Sequence, residues 1–317
     1  MDQRIIRIFA VPAFLLLLVI LVQTTDAQTT RKVSVTFDDL PGTHNIADLE
    51  ELTRVNDLLL SKLAARKVPT AVFVNERKLF YPGEIDERTA ILEKWIDAGH
   101  ILGNHTFSHI AINSNPFEAY REDLIRGETV TRMLLEKRGQ KLTYFRHTQL
   151  RTGPTDEYRK QLSDLLKERG YSVAPVTIDN NEYIFATVYE SAFAKNDKEL
   201  ADRIAATYVD YMDSVFGHFE KLSREFLGRE PAQVLLLHVN RINADHFGKL
   251  ASMMEKRGYE YVSLDEALKD EVYRLPEVTS RTGLSWIHRW MLAKGLEMKK
   301  EPDVPNWIGD LFARRDE

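Results

Sequence analysis

The sequence predicts an α/β fold with a mostly parallel β-sheet, either open or closed into a barrel. Short apolar segments typical of strands alternate about seven times with amphipathic segments typical of helices, which is the pattern of βα units. Polar residues capable of chemistry follow several predicted strands directly. In parallel α/β folds the carboxyl edge of the sheet is where active sites assemble, so we expect these residues to lie together.

Length and composition are those of an ordinary globular protein. The 317 residues are 44% hydrophobic and 29% charged, enough for one large domain or two small ones. A net charge of -5 provides no electrostatic reason to expect nucleic-acid binding. Because there are no cysteines, disulfides and thiolate ligands are excluded. Any metal site must use histidines and carboxylates, which suits zinc or another divalent transition metal.

Residues 1–27 predict a secretory signal peptide. Arg4 and Arg7 precede an apolar run over residues 8–22, and residues 25–27 resemble a small-x-small cleavage site. An uncleaved N-terminal anchor is the alternative, although the run is short for a transmembrane helix. We therefore expect an exported protein, periplasmic or secreted, that does not remain in the membrane after cleavage.

The first predicted strand ends in two adjacent carboxylates. Val33, Val35 and Phe37 alternate with smaller or polar residues, and Asp38 and Asp39 follow just before a Leu-Pro-Gly stop. Adjacent carboxylates repel each other unless a metal ion or a neighbouring cation offsets the repulsion. A strand followed by a polar turn is the alternative interpretation.

The remaining elements are predicted from apolar periodicity and from glycines and prolines at their ends. Strands are predicted at residues 70–74, 100–103, 142–145, 171–178, 233–237 and 259–262. Helices are predicted at residues 47–66, 87–98, 116–138, 155–169, 244–256 and 263–268. A long charged helical stretch at about 191–227 is interpreted as an insertion or an elongated crossover.

A pair of histidines follows the third predicted strand. His105 and His109 are four residues apart, so on a helical turn they would share a face and could bind one metal ion. With a strand-end carboxylate as third ligand, positions remain open for water and substrate, which is the catalytic pattern. Two unrelated histidines are the alternative. Arg146, Asp179 and His238 also follow strands, but singly they are equally typical of surface ion pairs or a hydrogen-bonded core histidine.

Five short segments, in order, resemble the polysaccharide deacetylase family, that is, carbohydrate esterase family 4 with its NodB-type homology domain. They are Thr36-Phe-Asp-Asp39, His105-Thr-Phe-Ser-His109, Phe145-Arg-His-Thr148, Asp179, and Leu235-Leu-Leu-His238. The resemblance spans residues 33 to about 262. It implies a distorted (β/α)7-type barrel with mostly parallel strands.

The resemblance also implies roles for these residues. Asp39, His105 and His109 would hold a divalent metal ion, most often zinc, with cobalt or manganese as other choices. Asp38 would be the general base, oriented by Arg146. His238 would be the general acid, oriented or tuned by Asp179. Bound metal would lower the pKa of a water toward ~7 and polarise the acetyl carbonyl.

The chain departs from the family pattern in two places. Thr148, followed by Gln149, stands where the third motif usually has proline, which leaves the geometry of that loop open. Glu182-Tyr183 stands where the fourth motif usually has Asp-Trp. Tyr183 could form an aromatic wall for a sugar or simply pack. His44 and His147 are interpreted as neighbours of the site, and His147 also as a candidate substrate contact.

We therefore expect a catalytic domain over residues 28–275, with the insertion at 191–227, and a C-terminal extension over 276–317 that packs on it. The implied function is metal-dependent hydrolytic deacetylation of an N-acetylated glycan, similar to chitooligosaccharide or peptidoglycan. The alternatives are hydrolysis of another linear amide or O-acetyl ester, and a non-catalytic glycan-binding cell-envelope protein. The sequence leaves the oligomeric state open.

Overall fold

The computed structural model describes residues 30–46 and 48–315, in which seven parallel strands form one sheet. The predicted signal peptide, residues 1–27, lies outside the described residues. The strands are Arg31–Leu40 (β1), Thr70–Val74 (β2), Ile101–Asn104 (β3), Tyr144–Phe145 (β4), Ser172–Val173 (β5), Gln233–His238 (β6) and Tyr259–Tyr261 (β7). Their order is β5-β4-β3-β2-β1-β6, and β7 also pairs with β1.

The sheet curls into a distorted barrel. The chain beyond β5 forms a parallel bridge between Ile178 and Leu235 of β6, so the two ends of the strand order meet. β4 and β5 are only two residues long each, shorter than the sequence predicted. The predicted class, a distorted (β/α)7-type barrel with mostly parallel strands, is confirmed.

Helices connect the strands and cover the outside of the sheet. They are Leu49–Ala65 (α1), Ile85–Asp97 (α2), Phe117–Arg126 (α3), Thr129–Glu136 (α4), Asp156–Glu168 (α5), Glu182–Ala194 (α6), Lys198–Leu227 (α7), Arg241–Lys256 (α8), Leu264–Ala267 (α9), Trp286–Ala293 (α10) and Asn306–Ala313 (α11). The stretch predicted at 191–227 therefore comprises the end of α6 and all of α7. Among the described residues, no helix has both the length and the apolar character needed to span a membrane.

The single helix predicted over 116–138 is wrong, because the chain breaks at Gly127 between α3 and α4. A Cβ atom at Gly127 would lie 2.4 Å from the backbone nitrogen of Phe107. Asp123 in the last turn of α3 accepts hydrogen bonds from the backbone N–H and the hydroxyl of Ser108, at 2.9 and 2.8 Å. The break therefore lets the loop that carries the paired histidines seat closely on the end of α3.

β1 occupies the middle of the sheet and presents different residues on its two faces. Phe37 is fully buried against the helices, with ring centroids 6.2 Å from Trp95 and 6.0 Å from Phe247. On the other face the small side chain of Thr36 donates to the carbonyl of Leu235 at 2.7 Å. The small residue leaves space inside the curl for a large polar side chain at the carboxyl edge.

The C-terminal segment packs against this body. Trp286 donates its backbone N–H to the carbonyl of Val176 at 2.7 Å, and Trp290 is buried. Helix α11 packs on α6, with the Phe312 ring edge-on to Tyr183 at 6.0 Å between centroids. This segment thus reaches the carboxyl edge of the sheet.

Candidate active site

The two carboxylates at the end of β1 point to different partners. Asp39 adopts a φ of 73°, in the left-handed region that non-glycine residues rarely occupy. Asp38 is buried and has one carboxylate oxygen 3.5 Å from Arg146 Nη1. Asp39 has a carboxylate oxygen 3.3 Å from Lys78 Nζ. The left-handed conformation of Asp39 directs its carboxylate toward Lys78, away from the side of Asp38 that faces Arg146. The two neighbouring acids thus each have a separate cation.

The paired histidines lie on an irregular loop after β3, so the predicted helical turn is wrong. Thr106 and His109 have φ values of 64° and 58°, which no helix allows. The two imidazole rings nevertheless lie 5.0 Å apart between centroids, at 66° to each other. Asn75 supports the loop by donating to the carbonyl of His105 at 2.6 Å. Tertiary contacts therefore bring the rings together without helical spacing.

Asp39, His105 and His109 form a cluster suited to a divalent cation. One ligand atom from each residue lies within 4.8 Å of the others. The buried carboxylate oxygen of Asp39 that lies 3.3 Å from Lys78 Nζ has this ion pair but no hydrogen bond among the described residues. His105 Nδ1 lies 2.9 Å from the carbonyl oxygen of Arg146, which leaves Nε2 available. Two imidazoles and one carboxylate are a donor set typical of zinc.

The ionisation of these residues agrees with a cation site. Burial lowers the pKa of both His105 and His109 to about 4, so both are neutral near pH 7, as ligands must be. Burial by itself would raise the pKa of Asp39, but Lys78 and then His109 outweigh it and hold the pKa well below its ordinary value. Sequence reasoning did not single out Lys78, because lysine is common on surfaces and its partner is remote in sequence.

Asp38 lies directly beside this cluster. Its second carboxylate oxygen lies 3.5 Å from His105 Nε2. Burial raises the pKa of Asp38, and Arg146 opposes that shift. Arg146 is fully buried, donates to Thr36 Oγ1 at 2.9 Å and lies over the Phe73 ring at 4.5 Å. Its position is thus held on two sides, with the guanidinium toward Asp38.

His238 ends β6 directly beside Asp38, because the two residues are register partners on adjacent strands. Its Nδ1 lies 2.7 Å from a carboxylate oxygen of Glu182, at the start of α6. Burial by itself would lower the pKa of His238, but Glu182 outweighs it and raises the pKa to about 9. The imidazole is therefore protonated near pH 7.

The hydrogen-bond partner of His238 Nδ1 is thus Glu182. The resemblance implied that Asp179 orients or tunes His238, and of these two roles the hydrogen bond falls to Glu182, while Asp179 interacts with the imidazole through its charge. The other carboxylate oxygen of Glu182 accepts hydrogen bonds from the amides of Asn240 and Asn243, the latter at 2.8 Å. Asp179 accepts instead from the backbone N–H of Asn180 at 2.8 Å. Burial raises the pKa of Asp179 to about 7, and Glu301 adds to the shift. One signal in the sequence could have identified this partner of His238: Glu182 stands where the fourth motif of the family usually has aspartate.

A cavity of about 740 Å³ opens over these groups. Asp39, His109, Asp179 and His238 line it, and Tyr183, half exposed, forms part of its wall. A neighbouring cavity of about 590 Å³ shares His44, Asn45, Tyr183 and Thr187 with the first and extends to Phe312. His147 is buried and its ring stacks on Trp286, 6.3 Å between centroids. The two cavities together form one groove that runs from the candidate cation site to α11.

Fold and site together define a parallel α/β barrel with a candidate cation site at the carboxyl edge of its sheet. The family model for polysaccharide deacetylases matches residues 25–174. Over this segment the chain is similar to the polysaccharide deacetylase family. The matched segment contains Asp38, Asp39, His105, His109 and Arg146, whereas Asp179, Glu182 and His238 lie beyond it. No curated protein sequence matches the chain.

Several solved structures are similar to this chain at low sequence identity. Peptidoglycan deacetylase PdaC from Bacillus subtilis is 19% identical, with 76% of this chain and 93% of that chain covered and a TM-score of 0.46. A family 4 carbohydrate esterase from Streptomyces lividans, in complex with acetate, is 16% identical over 75% and 95% of the two chains, with a TM-score of 0.46. A family 4 pseudoenzyme from Bacillus anthracis is 16% identical over 76% and 66%, with a TM-score of 0.46.

Proposed function

We propose that this protein is a hydrolytic deacetylase of N-acetylated glycans that requires a divalent metal ion, most favourably zinc. The observation that carries the proposal is the arrangement of three groups around one cavity. Asp39, His109 and the protonated imidazole of His238 line the cavity. The buried Asp38 adjoins them, as the register partner of His238 and with a carboxylate oxygen 3.5 Å from His105 Nε2. The match of residues 25–174 to the polysaccharide deacetylase family model supports the same reaction class.

Asp39, His105 and His109 would hold the metal ion. When bound, such an ion supplies Lewis-acid polarisation of an acetyl carbonyl and makes water a stronger acid. Asp38 accepts a proton from the attacking water. Its buried position raises its pKa and so its basicity, while Arg146 keeps the carboxylate oriented. Asp38 and His238 lie in different environments, so one can act as the base and the other as the acid of the same reaction.

His238 completes the reaction by donating a proton to the leaving amine. An amine is too basic to depart as an anion, so an amide substrate needs an acid at this position. Glu182 accepts a hydrogen bond from Nδ1–H of the imidazolium. The proton on Nε2 is therefore the one available for donation. The pair resembles the acid–carboxylate couples in which a carboxylate holds the ring orientation and stabilises its charged form.

The groove supports an oligomeric substrate. Its main cavity, about 740 Å³, is far larger than an acetyl group requires and is within the usual range for ligand sites. Tyr183 and Phe312 provide aromatic surface, and Asn45 and Thr187 provide hydrogen-bonding groups along the second cavity. Sugars present both apolar ring faces and hydroxyls, so this mixed lining matches a glycan chain better than an isolated acyl group.

The test is metal-dependent release of acetate. Purified residues 28–317 are stripped with a chelator, reloaded with zinc, cobalt or manganese, and assayed with N-acetylglucosamine oligomers, peptidoglycan and acetylated xylan. We expect acetate from an N-acetylated glycan, lost on stripping and restored by metal. Acetate from xylan alone would indicate an O-acetyl esterase. Glycan binding without any acetate would indicate a binding protein and refute the proposal.

A further inference from the structure

We propose that Gln149 is a positioning residue that turns its side-chain amide when a cation binds and then holds the proton of His109 on Nδ1, and that the C-terminal segment holds the Gln149 backbone in place. The inference rests on the cation site of the proposed function and is independent of the substrate. It gives a role to Gln149, which directly follows Thr148, the residue at which the third motif departs from its family pattern.

Gln149 contacts His109 directly. The amide nitrogen of Gln149 lies 3.1 Å from His109 Nδ1, while its amide oxygen is buried and has no partner among the described residues. A half-turn of the amide exchanges these two atoms, so Gln149 can either donate a hydrogen bond to Nδ1 or accept one from Nδ1–H. The same side chain can therefore serve either neutral form of the imidazole.

The two neutral forms are not equivalent at this site. His109 Nε2 is the nitrogen nearest Asp39, 4.0 Å from a carboxylate oxygen. A cation at the cluster requires an unprotonated Nε2, and the ring proton must then lie on Nδ1 with an acceptor beside it. The amide oxygen of Gln149, turned toward the ring, is that acceptor.

The partner histidine is held differently. His105 Nδ1 lies 2.9 Å from the carbonyl oxygen of Arg146, a group that can only accept. The tautomer of His105 is thus determined by the backbone, whereas that of His109 depends on the orientation of one amide. The orientation of the Gln149 amide therefore determines whether His109 Nε2 is unprotonated and able to bind a cation.

The loop that carries Gln149 is constrained. Gln149 and Leu150 both lie in the left-handed region, with φ values of 50° and 52°. Two successive non-glycine residues of this kind persist only where surrounding contacts hold them. Just before them, Thr148 Oγ1 donates at 2.9 Å to the carbonyl of Ile110, so adjacent residues of this loop bind adjacent residues of the histidine loop.

The C-terminal segment provides further constraint. Arg289, fully buried, donates to the carbonyl of Leu150 at 2.7 Å and to Thr152 Oγ1 at 3.2 Å. Gly283 approaches so closely that a Cβ atom there would lie 2.2 Å from the carbonyl oxygen of Gln149. Only a residue without a side chain allows this approach. The segment therefore determines where the Gln149 side chain stands.

Zinc affinity and ring protonation test the inference without any turnover assay. Zinc dissociation constants are measured by chelator competition for the wild type and for Gln149→Leu, Gln149→Glu and Gly283→Ala. Loss of an outer contact to a metal-bound histidine typically weakens binding about 10- to 100-fold. We expect that loss in Gln149→Leu and in Gly283→Ala, and affinity within a few-fold of wild type in Gln149→Glu, which keeps an acceptor. Gln140→Leu, an exposed glutamine, is the matched control.

Nitrogen-15 NMR of the wild-type imidazoles supplies a readout that needs no variant. In the zinc-loaded protein the His109 proton should lie on Nδ1. A proton on Nε2, or unchanged zinc affinity in Gln149→Leu, overturns the proposal. Gly283→Ala should add little to Gln149→Leu, because both act through one contact, and full additivity would remove the role of the C-terminal segment. Absence of acetate release would refute the deacetylase proposal and leave these measurements valid.

Discussion

Replacing Glu182 by glutamine should move the alkaline limit of activity. The side chain keeps its size but loses the charge that lies 2.7 Å from His238 Nδ1. Burial alone lowers the pKa of His238, and Glu182 overrides it to raise the pKa to about 9. Without the carboxylate the pKa should fall to its ordinary value of about 6.5 or below.

The size of the effect follows from the protonated fraction. Because the general acid must be protonated, activity is present below the pKa of His238 and lost as pH rises through it. At pH 8 a pKa of about 9 leaves about 90% of the acid protonated, and a pKa of about 6.5 leaves about 3%. With a pKa of about 6.5 the loss in kcat/KM from this cause is therefore ~30-fold at pH 8 and less than about two-fold at pH 6, and a lower pKa increases both losses.

The assay is kcat/KM from pH 5 to 10 on an N-acetylated oligosaccharide with saturating zinc. NMR titration of His238 in the wild type and in the variant reads the same pKa without turnover. Asp179→Asn is the comparison, since the structure places Asp179 on the backbone of Asn180. We expect a smaller shift there. An alkaline limit unchanged in Glu182→Gln, or moved further by Asp179→Asn, would refute the assignment of Glu182.

Three further outcomes are expected. Asp38→Asn should bind zinc normally but lose about 10²- to 10⁴-fold in kcat, the usual contribution of a general base; near wild-type turnover would remove Asp38 from that role. Phe312→Ala should raise KM for long glycan oligomers and leave the shortest substrate unaffected, as measured by a chain-length series; an equal change for all lengths would contradict the groove. Expression of the full chain in a bacterial host should yield an exported protein beginning at Gln28, and mass spectrometry of an uncleaved N-terminus would contradict the predicted signal peptide.

Much of the site could be predicted from the sequence because parallel strands place their carboxyl ends at one edge. Asp39 at the end of β1 and the histidines after β3 therefore meet, although more than 60 residues separate them along the chain. The alternation of Val33, Val35 and Phe37 also fixed which face of β1 is buried against the helices. These features depend on local periodicity and on sheet geometry, both of which a sequence displays.

The conformation of the histidine loop could not be predicted in the same way. Spacing of four residues favours a helical turn, yet the loop is held irregularly by Asp123 and by the break at Gly127. Gly127 is a local signal for the break, but the apolar periodicity over residues 116–138 continues across it and favoured one helix. The close approach of Phe107 to Gly127 is a contact between separate elements, and it determined the outcome.

The sequence by itself determined the parallel α/β class, the strand ends and the residues that could bind a cation or transfer protons. Only the tertiary structure decided their partners: Glu182 rather than Asp179 for His238, 56 residues apart, and Gln149 for His109. Periodicity reports which side of one element is buried. The positions of α6 and of the C-terminal segment depend instead on packing among many residues at once. Those positions bring Glu182 within hydrogen-bonding distance of His238, and Gln149 within hydrogen-bonding distance of His109.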